Sequence, residues 1–248
     1  MKKTFLLWLY VAVALLAKSQ GNTLYQVDIV RPKPGMKSAF EPSWKLHLDK
    51  FHKTTDKRYV YEMTSGSNLG SYVILEGPFS YADMDKTLPN AKGHALDLEK
   101  NFSPKVEPGS QNFLTRFADT LSYNYNVNAD KLLLTVTIIK DGKLGEYLTE
   151  IRRTVLISQK SKSPSSYYNL IKQQSGSNPT IYTVRNLKEG FKEMELNYFN
   201  RPQDWFRDAY VKDYGQEAWD KRVKLLVDDV VSREQHFEIR RADLSSSQ

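Results

Sequence analysis

Two segments rich in β-branched and large apolar residues head two similar stretches of the chain. They are residues 24–30 and 131–140, and turns containing Gly35 and Gly142 follow them. Residues of this kind favour a strand that is buried on at least one face. The pattern therefore predicts a buried first strand in each stretch.

A helical period follows each of these turns. Apolar residues recur there at intervals of three and four, which predicts a helix with one buried face. We expect Pro42 to lie in the first turn of the first helix or to kink it. The apolar positions are Phe40, Trp44, Leu48 and Phe51 in the first stretch and Leu144, Leu148, Ile151 and Val155 in the second.

Each helix is followed by two alternating segments around the same tetrapeptide, Ser-Gly-Ser-Asn. It occupies 65–68 in the first stretch and 175–178 in the second, and it predicts a hairpin turn. A nest of backbone amides that binds an anion is the alternative interpretation of this loop. The remaining segments predict strands at 59–63, 70–76, 167–173 and 180–185, helices at 81–86, 112–121, 191–198 and 217–231, and last strands at 122–128 and 234–240.

The two stretches also match position by position. At the 110-residue offset of the tetrapeptide, Tyr72 corresponds to Tyr182 and Met84 to Met194. Self-similarity of this kind indicates a tandem repeat. We therefore predict that residues 20–128 and 129–248 are homologous ferredoxin-like domains.

The predicted order of strand, helix, strand, strand, helices and strand, occurring twice, is the split βαβ arrangement of an α+β fold. On this order and the duplication, the chain resembles the dimeric α+β barrel superfamily, including NIPSNAP-like and antibiotic-biosynthesis-monooxygenase-like proteins. The resemblance implies two βαββαβ units whose antiparallel sheets pack face to face as an intramolecular pseudo-dimeric barrel. The protein is then expected to be a monomer or a homodimer.

The first 19 residues have the features of an export signal. Lys2 and Lys3 precede an uncharged run over 5–17, and small residues at Ala17 and Ser19 suit cleavage after Ser19. A run of this length is shorter than the roughly 20 residues of a membrane-spanning helix, which disfavours an uncleaved anchor. We expect a periplasmic or secreted protein with no membrane span once the signal is removed.

Composition narrows the function classes. The 248 residues contain no cysteine, which excludes thiol catalysis, disulfides and thiolate metal sites. The formal charge of +7 falls to +4 without the leader, whose Lys2, Lys3 and Lys18 have no acidic counterpart. The other charges are interleaved in sign, so nucleic acid is not an expected partner.

No catalytic residue can be assigned from the sequence, because nucleotide, dinucleotide and hydrolase motifs are all absent. Of the four histidines, His47 and His52 are five apart, a spacing that turns them about 140° away from each other on a helix. The sequence therefore predicts no metal site and no cofactor.

Polar and aromatic residues near the predicted sheets form a candidate binding site for a small, planar or polar molecule. Strand alternation places some of these side chains in the space between the two sheets, with solvent-facing positions as the alternative. The candidate ligand-binding residues are Asp28, Trp44, His47, Tyr72, Tyr182 and His236.

Three functions remain open. The first is an exported module that binds a small-molecule ligand. The second, implied by the resemblance, is a cofactor-independent monooxygenase-like or haem-degrading-like enzyme. The third is a protein-interaction or structural module that uses aromatic residues of the second stretch, which a helix packed on its own sheet would equally explain. These aromatic residues are Trp205, Phe206, Tyr210 and Trp219.

Overall fold

Eight strands form a closed barrel in the computed structural model, which describes residues 23–52, 57–86, 90–173, 178–196 and 198–246. All neighbouring strands are antiparallel. The strands are β1 (Leu24–Val30), β2 (Arg58–Met63), β3 (Tyr72–Phe79), β4 (Gln111–Phe117), β5 (Lys131–Ile139), β6 (Tyr167–Lys172), β7 (Thr180–Asn186) and β8 (Val230–Arg240).

The helices lie in the connections between strands. The long helices α1 and α4 follow the first strand of each half, at the places where the apolar period predicts them. The six α-helices of the described ranges are α1 (Lys37–Phe51), α2 (Tyr81–Met84), α3 (Ala91–Asp97), α4 (Leu144–Lys160), α5 (Trp205–Tyr214) and α6 (Gln216–Asp228). A π-helical segment, Leu98–Phe102, directly continues α3.

The strand order around the barrel is β1-β3-β2-β8-β5-β7-β6-β4, with β4 returning to β1. Each half therefore contributes four adjacent strands. Two seams join the halves, one between 61–63 and 238–240 and one between 115–117 and 170–172. The fold is a mixed α+β fold built on one closed sheet.

The sequence prediction is wrong for the last strand of the first half. The predicted helix over 112–121 is mainly strand β4, whereas the predicted strand over 122–128 forms only an isolated bridge between Tyr123 and Tyr167. Phe113 and Phe117 are four residues apart, which resembles a helical period, but they face the barrel interior together with Thr115 between them. The sequence of this segment therefore fits both a strand, whose side chains share a face every two residues, and a helix, in which residues four apart share a face.

Most other element predictions are confirmed within two or three residues. Ser65 and Asn68 lie in the turn between β2 and β3, and Gly66 has the positive φ of +83° that favours glycine. The repeated copy at 175–177 and the predicted signal at 1–19 lie outside the described residues. Domain boundaries after residue 128 and descent from a duplication stay predictions.

The barrel interior is a packed core rather than a binding space. Side chains from both halves fill it, including Tyr25, Tyr61, Phe113 and Leu134, and the cavity among them is only about 30 Å³. The larger cavities lie on the outer surface of the barrel, between the sheet and the helices. Among the described residues the interior therefore offers no open space of ligand size, although Tyr182 points into it, as strand alternation predicts for some of these side chains.

None of the helices in the described ranges is both long enough and apolar enough to cross a bilayer.

Candidate functional site

A cavity of about 680 Å³ lies between the outer face of the first-half sheet and the helices that cover it. Strand alternation exposes Asp28 on β1 and Asn112 on β4 to this cavity, and the two residues are paired across the strands. Trp44 from α1 and Phe102 form part of its apolar wall. We refer to this space as the first-half cavity.

The carboxylate of Asp28 is held at the polar end of this cavity. Its Oδ1 accepts a hydrogen bond from Asn112 Nδ2 at 2.5 Å, and its Oδ2 accepts a longer one from Gln26 Nε2 at 3.4 Å. Burial raises the pKa of Asp28, although these hydrogen bonds oppose the shift. A carboxyl group with a raised pKa beside a cavity can exchange a proton with a bound molecule.

Arg58 places a cation beside the same space. Its guanidinium pairs with Glu76 at 2.7 Å and lies over the ring of Trp44, 5.8 Å from the ring centroid. The Nε atom of Arg58 is buried and has no hydrogen-bond partner among the described residues. The cavity therefore combines an acid, an amide and a cation with an apolar wall.

Three histidines converge at one end of the cavity. The Nε2 atoms of His47, His52 and His94 lie 3.2 Å (His47–His94), 3.3 Å (His47–His52) and 3.0 Å (His52–His94) apart. His47 and His52 are buried, and His94 is partly exposed and lines the cavity. A group of this kind can hold a metal ion.

The expectation that His47 and His52 point away from each other is wrong. It assumes that both residues are helical, whereas α1 ends at Phe51 and His52 leaves the helix with φ of −127°. The imidazole of His52 thereby turns back toward His47. His94 on α3 then supplies the further element that closes the cluster, so the five-residue spacing of His47 and His52 does not exclude a metal site.

Asp97 fixes the tautomer of His47. Its Oδ2 lies 2.8 Å from His47 Nδ1, and Lys50 and Asn101 donate to its other oxygen at 3.4 and 3.1 Å. Burial opposes the shift, but the hydrogen bonds from His47, Asn101 and Lys50 lower the pKa of Asp97, which is therefore ionised. A carboxylate accepts only, so His47 carries its proton on Nδ1 and presents a lone pair at Nε2.

Burial keeps the two inner imidazoles neutral. It lowers the pKa of His52 to about 3, with further contributions from the nearby Arg58, His47 and His94. It also lowers the pKa of His47, although the hydrogen bond to Asp97 opposes this effect. Neutral imidazole is the form that ligates metal ions.

The other predicted site residues lie elsewhere. Tyr72 is buried on the outer face of the barrel, where its hydroxyl donates to Glu41 at 2.5 Å. Tyr182 lies in the barrel interior and stacks on Phe113 at 5.2 Å. His47 thus belongs to the cluster, Trp44 stacks against it and Asp28 lies in the adjoining cavity, whereas Tyr72 and Tyr182 line neither the cluster nor the cavity.

His236 also lies away from the cluster. It is paired with Leu134 of the interior core, and its Nε2 lies 3.0 Å from the buried Glu238. Its backbone lies behind the turn at Gly66, where a β-carbon would approach the His236 side chain to 3.1 Å. His236 therefore belongs to the packing of the barrel.

The second-half aromatic residues pack mainly on one another. Tyr210 is fully buried, and its ring contacts those of Phe206 and Trp219 at 6.2 and 5.5 Å. Trp205 and Phe206 line a second outer cavity of about 380 Å³. The interpretation as a helix packed on its own sheet therefore accounts for these residues better than an exposed partner surface does.

His94, Asp97, Arg58 and Asn112 are the site residues that the sequence analysis missed. His94 and Asp97 are three apart, a spacing that places both on one face of a helix. That signal was available, but α3 itself was not predicted. Without the helix, nothing in the sequence connects His94 to His47.

Comparisons with known proteins identify the fold. No protein-family model matches the chain, and a search of curated proteins returns no significant match. Among solved structures, an anthrone oxidase-like protein has a TM-score of 0.55 and 10% sequence identity, and the match covers 92% of this chain and 95% of that one. A "putative monooxygenase" from Lactobacillus acidophilus has a TM-score of 0.54 and 10% identity, with 92% and 97% covered.

A variant of chlorite dismutase from Candidatus Nitrospira defluvii is similar at a TM-score of 0.51 and 6% identity, and the match covers 91% of this chain and 94% of that one. Such monooxygenases and chlorite dismutase belong to the dimeric α+β barrel superfamily. At these identities the likeness concerns the fold alone. The chain thus has the α+β barrel fold of these proteins, with both halves of the barrel in one polypeptide.

Proposed function

We propose that this protein is exported and binds a small molecule in the first-half cavity. The observation that carries the proposal is the convergence of Asp28, Arg58 and His94 on one cavity of about 680 Å³. This volume lies in the range of small-molecule sites, which combine apolar walls with a few polar groups. Export rests on the leader at 1–19.

The lining of the cavity favours a ligand with a planar apolar body and a hydrogen-bonding group. Trp44, Ile74 and Phe102 provide apolar surface on one side. Asp28 and Asn112 provide a carboxyl and an amide on the other, so hydrogen-bonding groups face a ligand there. Charged groups of both signs line the space, so the ligand need not carry a large net charge.

The test is native mass spectrometry of the mature chain, residues 20–248, purified gently from a bacterial periplasm. We expect a co-purifying mass, with an absorption spectrum that identifies its class. Asn112→Trp would fill the mouth of the cavity and abolish the adduct. Arg116→Trp is the matched control, because Arg116 is exposed four residues further along β4 and does not line the cavity.

A clean apo mass, or an adduct that survives Asn112→Trp, would contradict this ligand site. Localisation is tested separately by N-terminal sequencing of the exported protein, which we expect to begin at Gln20. A chain that keeps its leader in the cell interior would contradict the export proposal.

A monooxygenase-like enzyme is the second candidate function. The position of the partly buried Asp28 in the cavity favours it, because a base there could remove a proton from an activated carbon of an aromatic substrate. One of the similar structures is an anthrone oxidase-like protein, so anthrone is a suitable probe. Oxidation would consume one O₂ per anthrone and yield anthraquinone and water. Asp28→Asn should abolish this oxygen uptake. The control Asp130→Asn, at an exposed position, should leave it unchanged.

The described residues that line the first-half cavity and the cavity of about 380 Å³ do not fit a haem group. His94 lines the first-half cavity, but its Nε2 lies within 3.2 Å of two other imidazoles, which block an iron ion centred in a flat macrocycle. Among the described residues, no histidine or methionine lines the second cavity, and Tyr167 there shares a hydrogen bond with Ser158.

A further inference from the structure

Hydrogen bonds among the Nε2 atoms of His47, His52 and His94 cannot pair a donor with an acceptor at every side of the triangle they form. Asp97 fixes the proton of His47 on Nδ1, so the Nε2 atom of His47 can only accept. If His52 and His94 both carry a hydrogen on Nε2, the two N–H groups point at each other across 3.0 Å. If only one of them does, the Nε2 atom of the other faces that of His47 with a lone pair on each, at 3.2 or 3.3 Å. A cation at the centre of the triangle would satisfy all three nitrogens.

The spacing of the three nitrogens also fits a shared metal ion. With a metal–nitrogen distance of about 2.0–2.1 Å, tetrahedral coordination separates two imidazole nitrogens by about 3.4 Å, and a right angle separates them by about 3.0 Å. The three observed separations, from 3.0 to 3.3 Å, fall between these two values. The planes of the three rings are tilted by 48° to 85° to one another, as rings around a common point are.

We propose that His47, His52 and His94 bind one divalent transition-metal ion, of which Zn²⁺ is the best match, and leave one coordination position open. Three imidazoles and no thiolate suit Zn²⁺ and the neighbouring first-row ions. Three protein ligands with an open fourth position are the arrangement of catalytic rather than structural zinc sites. The assignment rests on the histidine geometry and does not depend on the proposed ligand.

The surroundings of the cluster support this assignment. Asp97 holds His47 in the way that a carboxylate typically orients a metal-bound histidine. The ring of Trp44 stacks on His47 with centroids 5.7 Å apart, and Phe51 contacts both His47 and His94. The ligands are therefore held in place by packing before an ion arrives, which lowers the entropic cost of binding it.

The open position is inferred to face the first-half cavity, because His94 belongs to both the cluster and the cavity lining. Water would complete the coordination, or an oxygen atom of the molecule bound there would replace it. This second step rests on the proposed ligand site. It would make the bound molecule a substrate whose carbonyl or anionic oxygen the ion polarises.

The experiment titrates Zn²⁺ alone into the mature chain, prepared without a polyhistidine tag and stripped with a chelator. Isothermal titration calorimetry and elemental analysis should give one ion per chain, and the ion should raise the melting temperature by linkage. His94→Gln should weaken binding by about 100-fold or more, beyond the effect of losing a second-shell group. His94 is on a partly exposed helix, so this variant is expected to fold.

His236→Gln is the matched control, since it removes the one histidine outside the cluster and should leave the stoichiometry unchanged. Circular dichroism verifies that each variant folds. Asp97→Asn should weaken the affinity by about 10- to 100-fold, whereas Asp49→Asn, on the exposed face of α1, should leave it unchanged. If the stripped chain does not bind one Zn²⁺ ion, or if His94→Gln and His236→Gln bind Zn²⁺ with equal affinity, the proposed metal site is overturned.

Cobalt tests the open position. Co²⁺ in the stripped chain should give a visible absorption band that shifts when azide is added, because azide can enter a free coordination position. A band that azide leaves unchanged would overturn the open position and indicate a closed site. Asn112→Trp should keep Zn²⁺ binding while it abolishes the co-purifying adduct, so failure of the metal site and failure of the ligand site are distinguishable.

Discussion

Tyr182 illustrates how one side chain in the barrel interior affects stability. It is 8% exposed, and burial raises the pKa of its hydroxyl to about 12. An unfolded tyrosine has a pKa of about 10, so the folded state favours the neutral phenol. Below pH 10 the Tyr182 hydroxyl is neutral in both the folded and the unfolded state, so its burial contributes fully to stability. Between pH 10 and 12 the hydroxyl ionises first in the unfolded state, and the free energy of unfolding falls.

We therefore predict that the free energy of unfolding decreases from pH 9 to pH 11.5, and that Tyr182→Phe reduces this decrease by on the order of 2 kcal/mol. Urea unfolding at fixed pH values, followed by circular dichroism, measures the effect. Tyr81→Phe serves as the control at an exposed position. An equal pH dependence in wild type and Tyr182→Phe would refute the prediction.

At the residue scale the sequence indicated part of the site. Helical period alone placed Trp44 and His47 on the buried face of α1, and both lie there. His52 could not be placed, because its direction depends on where the helix ends, and helix ends are set by local backbone conformation that periodicity does not report. Tyr182 faces the barrel interior and not the first-half cavity, which the sequence could not tell because alternation gives two faces of a strand without telling which one borders a cavity.

At the scale of elements, the segment 241–246 connects the two halves in an additional way. This C-terminal strap follows β8 and crosses onto the first half, where the carbonyl of Leu244 accepts a hydrogen bond from Trp44 Nε1 at 2.9 Å. Leu244 is 3% exposed in the apolar cluster beneath α1, and Ser245 accepts from the backbone of Val60. The strap thus holds α1, and His47 on it, against β2.

Ending the chain after Arg240 should destabilise the protein by about 3 kcal/mol or more, because a buried leucine and several buried hydrogen bonds are lost. The melting temperature should fall by roughly 6–12 °C, with faster amide exchange in α1 than in α4. Leu244→Ala should reproduce a large part of the loss, whereas Asp243→Asn, with a 60% exposed side chain, should change little. Unchanged exchange in α1 would contradict the role of the strap.

The element predictions failed where two periodicities overlap. In β4 the side chains of Phe113 and Phe117 satisfy both a strand and a helix, and only pairing with β1 and β6 selects the strand. The segment 122–128 alternates in sequence, yet Asn124 adopts a φ of 48°, and the chain turns instead of extending. Long-range pairing decided both cases, and a single sequence does not report it.

At the scale of the molecule, the two halves share one interior. Val27 and Phe113 from the first half and Leu132 and Val184 from the second belong to the same core cluster. Each half alone would expose this apolar face and two unpaired strand edges. The sequence anticipated the closed barrel through its repeated order of elements, but it did not reveal that the interior is filled and that the cavities lie outside.

We predict that the whole chain unfolds in one cooperative transition, and that residues 20–128 or 129–248 expressed alone aggregate or lack a cooperative transition. Mixing the two fragments during refolding should restore a stable complex. Urea unfolding followed by near- and far-ultraviolet circular dichroism and size-exclusion chromatography test this. An isolated half that melts cooperatively by itself would contradict it.

The first-half cavity and the second outer cavity can change independently of each other over the generations of such a protein. In a barrel assembled from two identical subunits, every substitution appears twice, and both sites must tolerate it. Here a substitution in one half leaves the other half as it was, so three histidines line up beside one cavity while arginine and hydroxyl side chains line the other. A substitution that changes the lining of one cavity can therefore be accepted without the same change in the other.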